Sequence, residues 1–282
     1  MKVSVVSRGI TCLEGEDKYK ALEECGISAF DFTISNTNDE LYSLCEEDFL
    51  KRLSLEHEIA KRHGVEIYQT HGPWRIPIDD STEETRAERM EKMKLALKGT
   101  RVLGAKCMVI HPIMPFGTDD IEKHKEAETK ALNTVFMREL ASTAEQEGVT
   151  LCLENLPFPS FSLAKPDKVC ELIREINSDF CKMCFDAGHA NVFPELTVAN
   201  EMKKHGALIR ALHLHDNDGH GDNHLMPCFG RLDWISLGKV YSELELSCPF
   251  NYEAAPPRNA PLPIFKAYLK SMVDIAHQIT SK

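Results

Sequence analysis

A single (β/α)8 TIM barrel is the fold this sequence predicts, on three observations. Short apolar runs alternate eight times with helix-length amphipathic stretches, the pattern of a parallel sheet with helices outside it. Six of the runs stop on an imidazole or carboxyl group: EIYQTH at His71, CMVIH at His111, TLCLE at Glu154, KMCFD at Asp186, ALHLH with His213 and His215, and FNYE at Glu253. A buried parallel strand that ends this way delivers its polar group to a mouth shared by all the strands. The length agrees, because 282 residues are close to the roughly 250 that one such barrel commonly takes.

The elements follow in order. Residues 2–7 form the first expected strand and 17–25 the first helix. The second strand, 29–32, leads to a helix over 48–63 that Gly64 ends. The third, 66–71, precedes a highly charged helix over 82–103. The fourth, 106–111, precedes a long helix over 120–146, which Gly148 stops in the manner of a C-terminal glycine. The fifth, 149–154, leads to a helix starting near Pro166, a residue favoured in a first turn. The sixth, 182–186, leads to a helix near 198–205. The seventh, 208–215, is followed by a long polar loop and a helix from Trp234. The eighth, 250–253, precedes a last helix over 262–279. Eight units favour closure over an open doubly wound sheet. The turn after the first strand, SRGITCLEGED, also lacks the G-x-G-x-x-G of a dinucleotide fold. No linker, repeat or low-complexity stretch interrupts the pattern, so residues 1–282 read as one domain.

Composition narrows the partners. With 43% hydrophobic and 27% charged residues the chain can bury a large core. A net charge of −11 repels polyanions, so nucleic acid is not the expected partner. No stretch approaches the roughly 18 apolar residues of a membrane helix. The N-terminus lacks a signal-peptide core, and the ten scattered cysteines suit free thiols in a reducing cytoplasm. Cys181 and Cys184 form a C-x-x-C, but residues three apart on a strand point to opposite faces, so two separately buried thiols are expected. Oligomeric state is left open, a homo-oligomer included.

Glu154, Asp186 and Glu253 each end a strongly apolar strand and are expected to be partly dehydrated. Three anions in one cavity raise one another's pKa values unless a cation sits among them. A divalent metal ion resolves that conflict, and His213 offers it a neutral nitrogen from strand seven. An oxygen-rich set with one imidazole suits Mn, Mg or Co, with Zn also admissible. Ordinary helix caps or ion pairs could account for any one of these residues, but not for all four at the ends of strands five to eight.

A second tier surrounds them. His71 and His111 end strands three and four, and His189 follows Asp186 in D-A-G-H. His213 and His215, two apart, point to the same side of their strand. Asp222 and His224 lie in the loop after it, as D-N-H. His57, His63, His124, His205 and His277 fall on expected helices and are read as surface residues. His220, in the loop, carries no assignment.

The segments T-H-G-P-W, V-I-H-P, L-E-N-L-P, F-D-A-G-H-A-N, H-L-H-D-N…D-N-H…G-R-L-D-W and Y-E resemble the xylose-isomerase-like TIM barrel superfamily, in order and over nearly the whole chain. That group contains sugar and sugar-phosphate isomerases and epimerases, inosose dehydratases and endonuclease IV. The resemblance to its ketose 3-epimerases implies one metal ion on Glu154, Asp186, His213 and Glu253, with His189 and His215 on sugar hydroxyls. The resemblance to endonuclease IV implies up to three zinc ions. These would sit on His71, His111 and Glu154; on Glu154, Asp186, His213 and Glu253; and on His189, Asp222 and His224. Three departures weigh against the nuclease. GPWRIPIDD follows His71 where a Tyr-Leu-Ile-Asn-like segment is expected, H-L-H-D-N-D lacks that family's lysine, and no loop is basic and interleaved with aromatics. One departure touches the sugar branch: P-C-F-G stands at 227–230 for an expected Pro-Gly-x-Gly.

The expected chemistry is therefore proton transfer next to a carbonyl of a small carbohydrate, through a metal-stabilised enediolate. Glu154 and Glu253 would remove and return the proton, giving epimerisation or aldose–ketose isomerisation. Trp74 is a candidate platform for a sugar ring, or else a capping core residue. Arg8, Arg75 and Arg258 fall in loops of the same face and are candidates for holding a phosphate. A tri-zinc phosphoester hydrolase and an inosose-type dehydratase are the alternatives. A non-catalytic sugar-binding barrel has no need of so many convergent acids. Metal count separates the first two. Glu154, Asp186, Asp222 and Glu253 bring four negative charges; one divalent ion leaves a surplus that suits a neutral polyol, and three reverse its sign in favour of a phosphodiester.

Overall fold

In the computed structural model, every residue is described except 11, 12, 14, 35–39, 75–77, 255, 257, 258 and 282, and only the backbone is described at 8 and 9. Eight parallel strands form one sheet: β1 (Val3–Val6), β2 (Ala29–Thr33), β3 (Glu66–His71), β4 (Cys107–Ile110), β5 (Thr150–Glu154), β6 (Cys181–Asp186), β7 (Ile209–His213) and β8 (Phe250–Tyr252). They lie in the order β7-β6-β5-β4-β3-β2-β1-β8. A parallel bridge from Leu214 to Tyr252 joins the two edge strands. Its hydrogen bonds run from Leu214 N to Asn251 O at 3.0 Å and from Glu253 N to Leu214 O at 2.9 Å. The sheet thus closes on itself, as expected.

Nine described α-helices follow in chain order: α1 (Gly15–Glu24), α2 (Glu46–Arg62), α3 (Glu83–Val102), α4 (Glu126–Glu147), α5 (Pro166–Ile176), α6 (Ala187–Asn191), α7 (Val198–His205), α8 (Trp234–Leu244) and α9 (Leu262–Thr280). Their ends have local causes. Thr82 and Thr85 make a reciprocal capping box at α3. Gly148 closes α4 at φ 67°, a left-handed position that costs glycine little. Most apolar side chains are buried between the sheet and these helices. A second, smaller cluster of Cys107, Val109, Cys152, Cys184 and Ala211 fills the barrel interior. Cys184 therefore faces inward while Cys181 packs in the outer core, which separates the C-x-x-C pair as its spacing implies. The described cysteines are all free. Among the described residues no helix is long and apolar enough to cross a membrane.

Three expectations need correction. The fourth helix starts at Glu126, not near residue 120. Asp120 is buried and accepts hydrogen bonds from the backbone N–H (2.7 Å) and hydroxyl of Ser162, and the non-glycine His124 turns left-handed at φ 56°. A helix cannot propagate through that conformation. The short α6, directly after Asp186, was not anticipated. His205 is also not a surface residue. Its side chain is buried against α5, with Nε2 2.9 Å from Asp167 Oδ1 and 3.4 Å from Glu201 Oε2. Of the other four histidines expected on helices, His124 and His277 are exposed and His57 and His63 half-buried.

Candidate metal centre

The strand ends converge. Glu154, at the end of β5, divides its two oxygens. Oε1 lies 2.7 Å from His213 Nδ1, and Oε2 lies 3.1 Å from His111 Nε2 and 3.5 Å from His71 Nε2. Glu253 Oε2 approaches the same His213 Nδ1 at 3.2 Å, and Asp186 Oδ2 stands 3.9 Å away. Glu154, Asp186, His213 and Glu253 each offer one ligand atom, and all four atoms fit within 4.8 Å of one another. His215, on the same side as His213, reaches Asp186 Oδ1 at 3.3 Å through Nε2.

At the rim, His224 Nε2 lies 3.1 Å and His189 Nε2 3.5 Å from Asp222 Oδ2. His71, His111 and Glu154 form a further group able to hold an ion, as do Asp186, His189 and His215. All nine acids and imidazoles expected at metal positions thus stand together, and His215, expected on sugar hydroxyls, lies beside them. Trp74 is half-buried, edge-on to His111 with ring centroids 5.2 Å apart. Of the expected phosphate holders, Arg75, Arg258 and the side chain of Arg8 lie outside the described residues.

Local structure aims these groups. Asp186 caps α6 by accepting the His189 N–H at 2.6 Å. Asn155 clamps β5 to β6, donating to Asp186 O and accepting from Asp186 N, both at 2.9 Å. Four histidines of the centre have Nδ1 within hydrogen-bonding reach of a backbone carbonyl: His71 with Gly72 O at 2.9 Å, His189 with Asn155 O and His224 with Glu253 O, each at 2.8 Å, and His215 with Asp216 O at 3.4 Å. Donation from Nδ1–H leaves Nε2 as the atom aimed into the centre, which becomes a metal ligand once an ion displaces any proton it carries. Asp186 Oδ2 is buried without any hydrogen-bond partner. An orphaned carboxylate oxygen 3.9 Å from His213 Nδ1, with Glu154 and Glu253 beside it, fits a divalent cation better than a neutral polar core.

Several supporting residues carried no strand-end signature. Asp31, within β2, accepts from His213 Nε2 at 3.0 Å. Asp216 accepts from Trp234 Nε1 at 2.8 Å and from the N–H groups of Asn217 and Leu232, shaping the loop after β7. Arg89 pairs with buried Asp80 and donates to His111 O at 3.1 Å, holding the end of β4. A lone acid inside an apolar run, as in AFDF, was the available clue to Asp31.

Electrostatics follow from this packing. Burial alone would raise the Glu154 pKa, but His213, His111 and His71 hold it well below the usual carboxylate range. Burial works against a charge on His213, yet Cys184, Glu154 and Glu253 outweigh it and keep its pKa well above the ordinary value. His189 is opposed by burial and pulled up to about 10 by Asp186 and Asp222. Burial likewise opposes His224, which its bond to Asp222 and the charge of Glu253 bring up to about 9.

A histidine whose pKa is raised by folding contributes its stability fully below the unfolded value, about 6.5, and loses it as pH climbs through the folded one. The chelator-treated protein should therefore melt at progressively lower temperature from pH 7 to pH 10, followed by circular dichroism. A variant with His189→Asn and His224→Asn should show a flatter slope over that range; equal slopes would contradict the pairing with Asp222.

Comparison with known proteins places these features in a family. The family model described as xylose isomerase-like TIM barrel matches residues 19–272. An inosose isomerase of Bacillus licheniformis is 22% identical over 208 residues, covering 74% of this chain and 71% of its own. The D-psicose 3-epimerase of Clostridium cellulolyticum, solved with D-tagatose, superposes with a TM-score of 0.80 at 14% identity over the whole of both chains. The IolI protein, solved with a zinc atom, gives a TM-score of 0.79 at 18% identity, again over both entire chains.

Proposed function

We propose, given that the chain belongs to the xylose isomerase-like TIM barrel family, that it is a divalent-metal-dependent sugar isomerase or epimerase. One observation carries this: three carboxylates and one imidazole, from four consecutive strand ends, bring their ligand atoms within 4.8 Å of one another. The names of the relatives, an inosose isomerase and a D-psicose 3-epimerase, support the same class of substrate.

Glu154, Asp186, His213 and Glu253 would hold the ion, which when bound supplies Lewis-acid stabilisation to negative charge developing on substrate oxygens. Glu154 from β5 and Glu253 from β8 flank the centre from two sides of the ring. One removes the carbon-bound proton next to the carbonyl and the other returns it, to the opposite face for epimerisation or to the neighbouring carbon for isomerisation. His189 and His215 take the sugar hydroxyls. Trp74, beside His111, offers the ring an apolar edge. Asp31 adds a fifth carboxylate to the four counted from sequence, so an uncharged carbohydrate suits the centre better than a phosphorylated one.

A second reading has its own observation. His71 and His111 present Nε2 to Glu154 Oε2, and His189 and His224 present Nε2 to Asp222 Oδ2. Both groups could hold further ions, as a phosphoester hydrolase would need. The test is to strip the protein with chelator, reload it with Mn, Co, Mg or Zn, count bound ions by elemental analysis, and incubate with ketohexoses in D2O. An epimerase incorporates solvent deuterium at the carbon beside the carbonyl. Absence of exchange with every ion, together with cleavage of an abasic-site duplex that His224→Ala abolishes, would move the assignment to the hydrolase.

A further inference from the structure

The histidines of the centre are not all held alike. His71, His189 and His224 turn Nε2 inward and leave Nδ1 on a backbone carbonyl. His213 is reversed, with Nδ1 toward Glu154 and Glu253 and Nε2 toward a carboxylate, that of Asp31, at 3.0 Å. Asp31 is wholly buried in the barrel interior, where Oδ2 also accepts from Gln69 Nε2 at 2.8 Å and Asn251 Nδ2 at 3.3 Å. Gln69 and Asn251 in turn donate to Leu212 O, the residue before His213, at 3.4 and 2.9 Å. A buried carboxylate is costly unless something uses its charge. A neutral carbonyl would suffice to accept an imidazole N–H, as it does four times in this same centre.

We infer that Asp31 is a positioning residue: it fixes His213 as the Nε2–H tautomer, so that Nδ1 binds the metal ion, and its charge strengthens that nitrogen as a ligand. The inference rests on the proposal that Glu154, Asp186, His213 and Glu253 hold a metal. A carboxylate behind a ligating imidazole fixes ring orientation and raises ligand basicity, and its loss typically costs about 10–100-fold in metal affinity. Asparagine at this position has the same shape, but it carries no charge and can turn its amide N–H toward Nε2. That would drive the proton to Nδ1 and block the ligand.

The test uses zinc, measured by competition with a chromophoric chelator, and long-range proton–nitrogen NMR of the 15N-labelled zinc form. Wild type should show a protonated Nε2 and a zinc-bound Nδ1 for His213. Asp31→Asn, and Asp31→Ser should the first fail to fold, should bind zinc about 10–100-fold more weakly. Gln69→Met removes a neighbour of Asp31 without touching His213 and should stay within about threefold of wild type. If wild type binds no zinc, the metal proposal itself is overturned. If wild type binds it through Nε2, or if Asp31→Asn matches wild type or Gln69→Met falls as far as Asp31→Asn, the role of Asp31 alone is overturned.

Discussion

Glu154→Gln should lose metal ion and turnover together, with ion affinity down at least about 100-fold and activity at least about 1,000-fold. Glu154 is almost entirely buried, and its two oxygens serve different partners, His213 on one side and His111 with His71 on the other. An amide keeps the size but supplies one oxygen and two donor hydrogens. Whichever way it turns, an N–H faces a nitrogen that the proposed metal ion would require, and the negative charge that would balance that ion is gone. The same substitution removes one of the two proposed proton-transfer groups. Ion content by elemental analysis and deuterium exchange into a ketose measure the two losses separately. A variant that keeps its ion but loses exchange would assign Glu154 to proton transfer alone. One that keeps both would remove it from the centre. Circular dichroism of the metal-free variant controls for folding, since the surrounding strands are held by their own ladder.

Much of this centre was legible because its parts obey a periodic rule. Each acid or imidazole at the end of an apolar run sits where a parallel barrel opens, so pattern alone gathers Glu154, Asp186, His213 and Glu253; the loop pair Asp222 and His224 obeys no such rule, and only the resemblance of its D-N-H motif pointed to it. Asp31 escaped because it lies within its strand. AFDFT alternates in a way that suits any half-polar strand, and only closure of the ring brings β2 to face β7 across the interior. Asn155 and Asp216 escaped for a related reason: each stands beside a residue of the centre and acts on backbone groups, a role that leaves no mark in spacing. His205 failed in the opposite sense. A histidine near the end of a short polar helix looks solvent-facing, yet α5 supplies Asp167, distant in sequence, to cover it. The start of α4 was misplaced because Asp120 spends its side chain on Ser162 of another loop, a tertiary contact that overrides local helix preference.

Gly188→Ala is the second large effect, and it tests the crowding around His215. In D-A-G-H the glycine has an ordinary backbone conformation, so no turn demands it. Space does: a Cβ there would lie 2.1 Å from His215 Cε1 and 2.4 Å from both ring nitrogens. The ring cannot retreat, because His215 is wholly buried and stacked on His224 with centroids 4.3 Å apart. Inserting a methyl group into such a contact costs about 1–3 kcal/mol, and here the displaced ring also leaves Asp186 and Asp222. Gly188→Ala should therefore melt several degrees lower and lose about 100-fold in exchange activity, chiefly through weaker sugar binding. Combining it with His215→Ala separates the two consequences. The double variant should regain most of the lost stability, since the collision is gone, while its activity stays at the level of His215→Ala alone. Such coupling is what contact between two residues requires. If the two stability losses simply add, the ring does not pack on the backbone of α6, and His215 is not held against Asp186 in the way the proposed hydroxyl-binding role demands.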